Sequence, residues 1–193
     1  MKFQYKVIFS FLLGMIAGKV INIIAIADET IQILLFILMF MIGFEGGYNV
    51  TSKEIGSGIK KGLKTLFVAI LGSAIAGIIF IPFMGKLSLI SSLGLGWYTF
   101  TGSYLATQIG GNAGFIGFVV NLSRELFGMI AIPSLSKKLP CYALISLAGS
   151  PASDTLFPFI YRECGDISIV PSIFQGLMTL FTVPLLISLV IGL

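Results

Sequence analysis

Long apolar runs alternate with short polar, glycine-rich or lysine-bearing stretches along the whole chain. Residues 65–85, 87–123 and 167–193 hold no Asp, Glu, Lys or Arg, and only Lys86 separates the first two. A helix needs about 20 apolar residues to cross the hydrocarbon core of a bilayer. The pattern therefore predicts membrane segments over residues 7–25, 31–46, 65–84, 88–110, 113–133, 141–161 and 168–193, in one polytopic domain. The stretch before residue 65 reads as a connection, with Gly56, Gly58 and Gly62 breaking any regular helix.

Two of these segments read as interrupted. Between Ser91 and Gly114 stand six glycines, Gly94, Gly96, Gly102, Gly110, Gly111 and Gly114. Each costs a helix about 1 kcal/mol against alanine. Small residues also mark close helix packing, but Gly110-Gly111-Asn112 reads as a break. The second interruption is Ala148-Gly149-Ser150-Pro151-Ala152-Ser153-Asp154-Thr155, closed by Pro158. Irregular backbone is tolerated at membrane depth where it lines a cavity, and a pair of broken segments points to a transporter site. The expected architecture is an all-α integral membrane protein, a polytopic helical bundle of the inverted-repeat transporter kind.

Composition narrows the function classes. Hydrophobic residues make up 56% and charged residues 10%, against about 25% charged in soluble domains, so the chain cannot cover its surface in water. The net charge of +4 is no nucleic-acid signal, because the lysines cluster in connections. Lys53, Lys60, Lys61 and Lys64 fall in one connection and Lys137 and Lys138 in another, the pattern of cytoplasmic loops in a cell-membrane protein. The link with Asp28 and Glu29 reads as the outer face. With no histidine and two cysteines, no metal cluster or disulfide framework is expected, and Cys141 and Cys164 read as small apolar residues. The start resembles a cleaved signal, yet Lys19 interrupts its apolar run, which favours a retained first helix.

An ionisable group inside the membrane is a functional candidate by default, and four stand out: Glu45, Arg124, Glu125 and Asp154. At 100° per residue, Gly114, Gly117, Asn121, Arg124, Glu125 and Gly128 share one narrow helix face. Arg124 serves either a ligand or a structural staple to a carboxylate. Asp154 sits in the Gly-Ser-Pro break, as a site residue, as an N-cap of the half-helix ending at Pro158, or as both. Backbone at the breaks, at Gly102, Gly110, Gly111, Gly149 and Pro151, is open to a ligand. Three carboxylates against one arginine leave negative charge for a transported cation, a coupling proton or a sodium ion.

Gly96-Trp97-Tyr98 with Gly102, Asn121-Leu122-Ser123-Arg124-Glu125-Leu126, Pro133 and the segment holding Asp154 resemble the lysine exporter family. Val170, Gly176 and Pro184 in the last segment fit as well, and the likeness is tightest from residue 87 onward. The resemblance implies export of L-lysine or related basic amino acids, by exchange for protons and without a cofactor. It adds Trp97, Tyr98 and Gln175 to the candidate site. Three departures stand out. Pro151-Ala152 replaces the family's Thr-Ser, Gln175 stands where histidine is expected, and the family's additional N-terminal membrane segments are missing. The last implies a small membrane companion or a second copy of the chain, needed to cover the polar face of Asn121 and Glu125.

Other classes compete. An intramembrane aspartyl enzyme needs two close aspartates, and only Asp154 lies at membrane depth. A subunit that assembles without transporting is the other alternative.

Overall fold

The computed structural model describes residues 52–192 without a gap, together with scattered positions between residues 9 and 48. Residues 1–49 form a unit of their own, in which the described positions are helical. The segments expected over residues 7–25 and 31–46 fall in this unit and are only partly described; Glu45 lies outside the described residues.

The second unit, Val50–Leu193, is built of helices joined by short turns among its described residues, with no strand. Its elements are α1 (Ser52–Ile79), α2 (Ile81–Met84), α3 (Lys86–Ser92), α4 (Tyr98–Gln108) and α5 (Gly111–Leu135). Then come α6 (Cys141–Ala148), a 3-10 turn (Ser150–Ser153), α7 (Phe157–Cys164), a second 3-10 turn (Gly165–Ser168) and α8 (Ile169–Gly192). Among the described residues, Glu54–Ile79, Gly111–Leu135 and Phe157–Gly192 are long and apolar enough to cross a bilayer. The last is bent at Gly165, where φ is +67°. Its α8 part alone, 24 residues, is about 36 Å long at 1.5 Å per residue.

The lysine-bearing stretch corrects the expectation of a broken connection, since α1 runs through Gly56, Gly58 and Gly62 as regular helix. The reason is packing. A Cβ on Gly62 would come 2.9 Å from Phe174 Cδ1 and the Pro171 carbonyl, and one on Gly58 would meet Val170. Glycine one turn apart lets α1 and α8 approach closely, and that contact outweighs the propensity cost.

The glycines between Ser91 and Gly114 divide into two kinds. Gly102 and Gly114 let α4 and α5 lie against each other as an antiparallel pair, for a Cβ on Gly114 would come 2.7 Å from the Gly102 carbonyl oxygen. Gly96 (φ +92°) and Gly110 (φ +130°) take conformations that other residues rarely adopt, and the helix stops at both places. Leu95, fully buried, also has positive φ, at 52°. Such a conformation costs roughly 1–2 kcal/mol, so the surroundings hold it in place.

Residues 141–164 form a helical hairpin. Cys141 and Cys164 are paired in a disulfide with their Cα atoms 5.7 Å apart, which corrects the reading of two separate apolar cysteines. A spacing of 23 residues carries no sign of pairing until α6 and α7 fold back on each other. Opposite the feet, the tip at Gly149 (φ +73°) meets the break after α3, where the Ser150 N–H donates to the Leu95 carbonyl at 2.8 Å. The core beside this junction contains Leu66, Ile90, Leu93, Leu95, Leu105, Val183 and Ile187.

Both lysine clusters lie at one end of this unit. Lys61 Nζ stands 5.1 Å above the Tyr142 ring, beside the start of α6, and Lys137 and Lys138 sit in the short link leading into α6. Ser136 Oγ donates to Glu163 Oε2 at 2.7 Å, tying that link to the end of α7.

Candidate functional site

A helix that stops inside a membrane leaves carbonyls without partners. Here three side chains of the candidate set reach such ends: Arg124 serves two carbonyls, and Asn121 and Gln175 add second donors to carbonyls that backbone N–H groups already reach. Asn121, on α5, sends two of its three bonds to the first break and one back to its own helix. Its Nδ2 donates to the Ser91 carbonyl (2.9 Å) and the Gly117 carbonyl (2.8 Å), and its Oδ1 accepts from the Gly96 N–H at 2.7 Å. Gln175, on α8, donates from Nε2 to the carbonyls of Ile145 and Gly149, both at 2.8 Å. Its Oε1 is buried without a partner.

Arg124 reaches the same helix end from α5. Nε donates to the Leu147 carbonyl (3.0 Å), Nη2 to the Ser146 carbonyl (3.1 Å) and Nη1 to Ser73 Oγ of α1 (2.7 Å). A cation beside a helix C-terminus is favourably placed. Among the described residues, backbone carbonyls stand where a carboxylate partner was expected.

Glu125 lies one position further along α5 and faces the hairpin. It is 6% exposed, meets the side chain of Thr155 and lies within electrostatic reach of Asp154. Asp154 Oδ1 accepts from the Thr155 N–H (2.5 Å) and from Thr155 Oγ1 (3.2 Å). Helix α7 begins at Phe157 with Leu156 in the cap position, so Asp154 does not cap it. Tyr98, at the start of α4, feels both carboxylates and packs edge-on against Phe118 at 5.4 Å. The fold thus brings Glu125, Asp154 and Tyr98 together. Thr155 was missed as a site residue, and its hydroxyl next to Asp154 was the available signal.

The other candidates stand around this group. Trp97 stacks on Phe100, with ring centres 4.7 Å apart, and packs against the core. Gly149 and Pro151 form the hairpin tip, and a Cβ on Gly96 would come 2.8 Å from Pro151 Cδ. Gly102 lies in the α4–α5 contact, while Gly110 and Gly111 open α5, apart from the carboxylates. Asn121, at 1% exposure, and Glu125 are covered by the chain's own α3, α4 and hairpin. The polar face that called for a companion is therefore already covered from within this unit.

Comparison with known proteins places the chain. The family described as Lysine exporter LysO matches residues 8–191. The Lysine exporter LysO of Escherichia coli (strain K12) is 31% identical over 169 residues, 84% of this chain and 55% of that protein. A Putative lysine exporter of Haemophilus influenzae is 31% identical over 158 residues, 79% of this chain and 80% of that protein. The chain thus spans about half the length of the Escherichia coli relative. No solved structure matches it. With a family match across nearly its whole length and apolar helices long enough to span a bilayer, this multi-pass membrane protein belongs to the lysine exporter family.

Proposed function

We propose that the chain exports a basic amino acid, L-lysine or a close relative, across the cell membrane in exchange for protons. The observation that carries this reading is the meeting of two carboxylates, Glu125 from α5 and Asp154 from the hairpin tip, beside Tyr98 and Thr155. A carboxylate inside a bilayer is expensive unless a cation or proton balances it. A pair of them suits a cationic ligand when ionised and returns empty when protonated. Exchange of substrate for protons follows from that alternation. The names of the relatives supply the substrate class.

On this reading the breaks position the pair. The hairpin of residues 141–164 enters and leaves the membrane at the lysine-bearing, cytoplasmic end, and its tip meets the first break near mid-depth. Asn121, Arg124 and Gln175 hold that frame by serving helix ends. Transport chemistry, rather than bond making, is what such a site offers.

The test is conservative substitution. Glu125→Gln and Asp154→Asn keep size and lose charge, so both proteins should reach the membrane in normal amounts. Neither should protect cells from a toxic lysine analogue. Protection equal to the parent's by either variant removes that residue from the site.

A further inference from the structure

Arg124 lines a cleft of about 450 Å³ between α1, α5 and α6, whose wall includes Val68, Ser73, Ala76, Asn121, Phe127 and Ser146. Neither Glu125 nor Asp154 reaches it. The volume lies in the roughly 300–1,000 Å³ range of small-molecule sites. A smaller cleft, about 240 Å³, shares the wall residues Val68, Ala143 and Ser146 and is bordered by Lys61 and Lys64.

The guanidinium is incompletely used. It makes three hydrogen bonds, one from each nitrogen, and a guanidinium has five N–H groups. One N–H on each terminal nitrogen stays without a partner among the described residues. No carboxylate among the described residues pairs with this cation, and its three acceptors are two carbonyls and a hydroxyl. The hydroxyl of Ser73 accepts from Arg124, which leaves its own proton for a further acceptor. A desolvated cation without an anion is costly, and a planar fork of donors matches a carboxylate.

We propose that this cleft is the subsite for the carboxylate of the transported amino acid, with Arg124 and Ser73 as the donors. The proposal rests on the export reading and extends it: Glu125 and Asp154 take the cationic end, and Arg124 makes the protein read an amino acid rather than a diamine. Arg124 and Glu125 are neighbours on α5, about 1.5 Å apart along the axis and about 100° apart around it. The two groups thus stand on adjacent faces of one helix.

The experiment compares lysine with cadaverine, the same chain without its carboxylate, in liposomes holding the purified full chain. The parent should move lysine about ten- to hundredfold faster than cadaverine, the range of charge-assisted hydrogen bonds. Arg124→Gln, which also removes the bonds to the Leu147 and Ser146 carbonyls, should lower lysine more than cadaverine and so close the gap between them. Ser73→Ala, which leaves the bonds to the carbonyls in place, should lower lysine selectively and by less.

Equal rates for the two compounds in the parent overturn the proposal whatever the variants do. So does a parallel fall of both in Ser73→Ala or in a folded Arg124→Gln protein, which leaves Arg124 a purely structural cap. Export of neither compound by the parent refutes the export reading instead. The subsite is then decided by binding to the detergent-solubilised chain. Thermal stabilisation by lysine and 6-aminohexanoate but not by cadaverine upholds it, and any other order overturns it.

Discussion

The contact between the two breaks is the feature most exposed to a single methyl group. Gly149→Ala adds one at a residue with φ +73° and ψ −134°, a region that only glycine enters freely. The backbone strain alone costs roughly 1–3 kcal/mol. The new Cβ would also collide with the Leu95 carbonyl oxygen and come 3.1 Å from Arg124 Cζ. Relief of that collision pulls the Ser150 N–H from Leu95, a bond of 2.8 Å whose loss leaves a buried donor unpaired at about 1–3 kcal/mol. Together the variant should lose about 2–6 kcal/mol, a large share of a typical net stability of about 5–15 kcal/mol. Gly111→Ala is the control, because nothing lies within 4 Å of its added Cβ. There alanine should be neutral or stabilise by up to about 1 kcal/mol. Monodispersity after graded heating in detergent, read by size exclusion, reports both. A Gly149→Ala protein that survives as long as Gly111→Ala refutes the account of the junction.

Gln175→Leu should cost about 1–3 kcal/mol, because the carbonyls of Ile145 and Gly149 each lose a second donor and keep only their backbone partners, while the buried apolar volume is kept; heat-graded size exclusion again measures it, and an unchanged midpoint contradicts the bracing role. In a background where Cys141 and Cys164 are serine, cysteines at Ser57 and Ser136 should both resist an impermeant maleimide in intact cells and react in inverted vesicles, as the lysines beside them predict. Reaction of both from outside reverses the orientation.

The legible part of this fold was what glycine, proline and charge mark directly. The break from Gly149 to Asp154 was visible because Gly-Ser-Pro removes both helix propensity and an amide donor. Glu125 was marked because a carboxylate in an apolar run is costly, and the structure buries it against Thr155 near Asp154. The helix over Gly58 and Gly62 was not visible, since the partner surface that rewards those glycines, Val170 to Phe174, lies more than a hundred residues away. Asn121, Arg124 and Gln175 were marked as polar at depth, but the carbonyls they serve belong to other elements. Sequence spacing reports which face a residue occupies, and only the packed neighbours report what it touches there.

The cysteine pair at the feet of the hairpin changes the covalent graph of the molecule. Residues 141 to 164 become a ring that hangs from the rest of the chain at one point, between Pro140 and Gly165. The peptide path from α5 to α8 then no longer has to run through the tip. A backbone cut anywhere from Ser150 to Leu156 would leave the two long helices in one molecule, migrating as a single species until a reductant separates the fragments. The irregular tip is in this sense a side branch: its sequence can be opened or lengthened without disconnecting the helices that flank it.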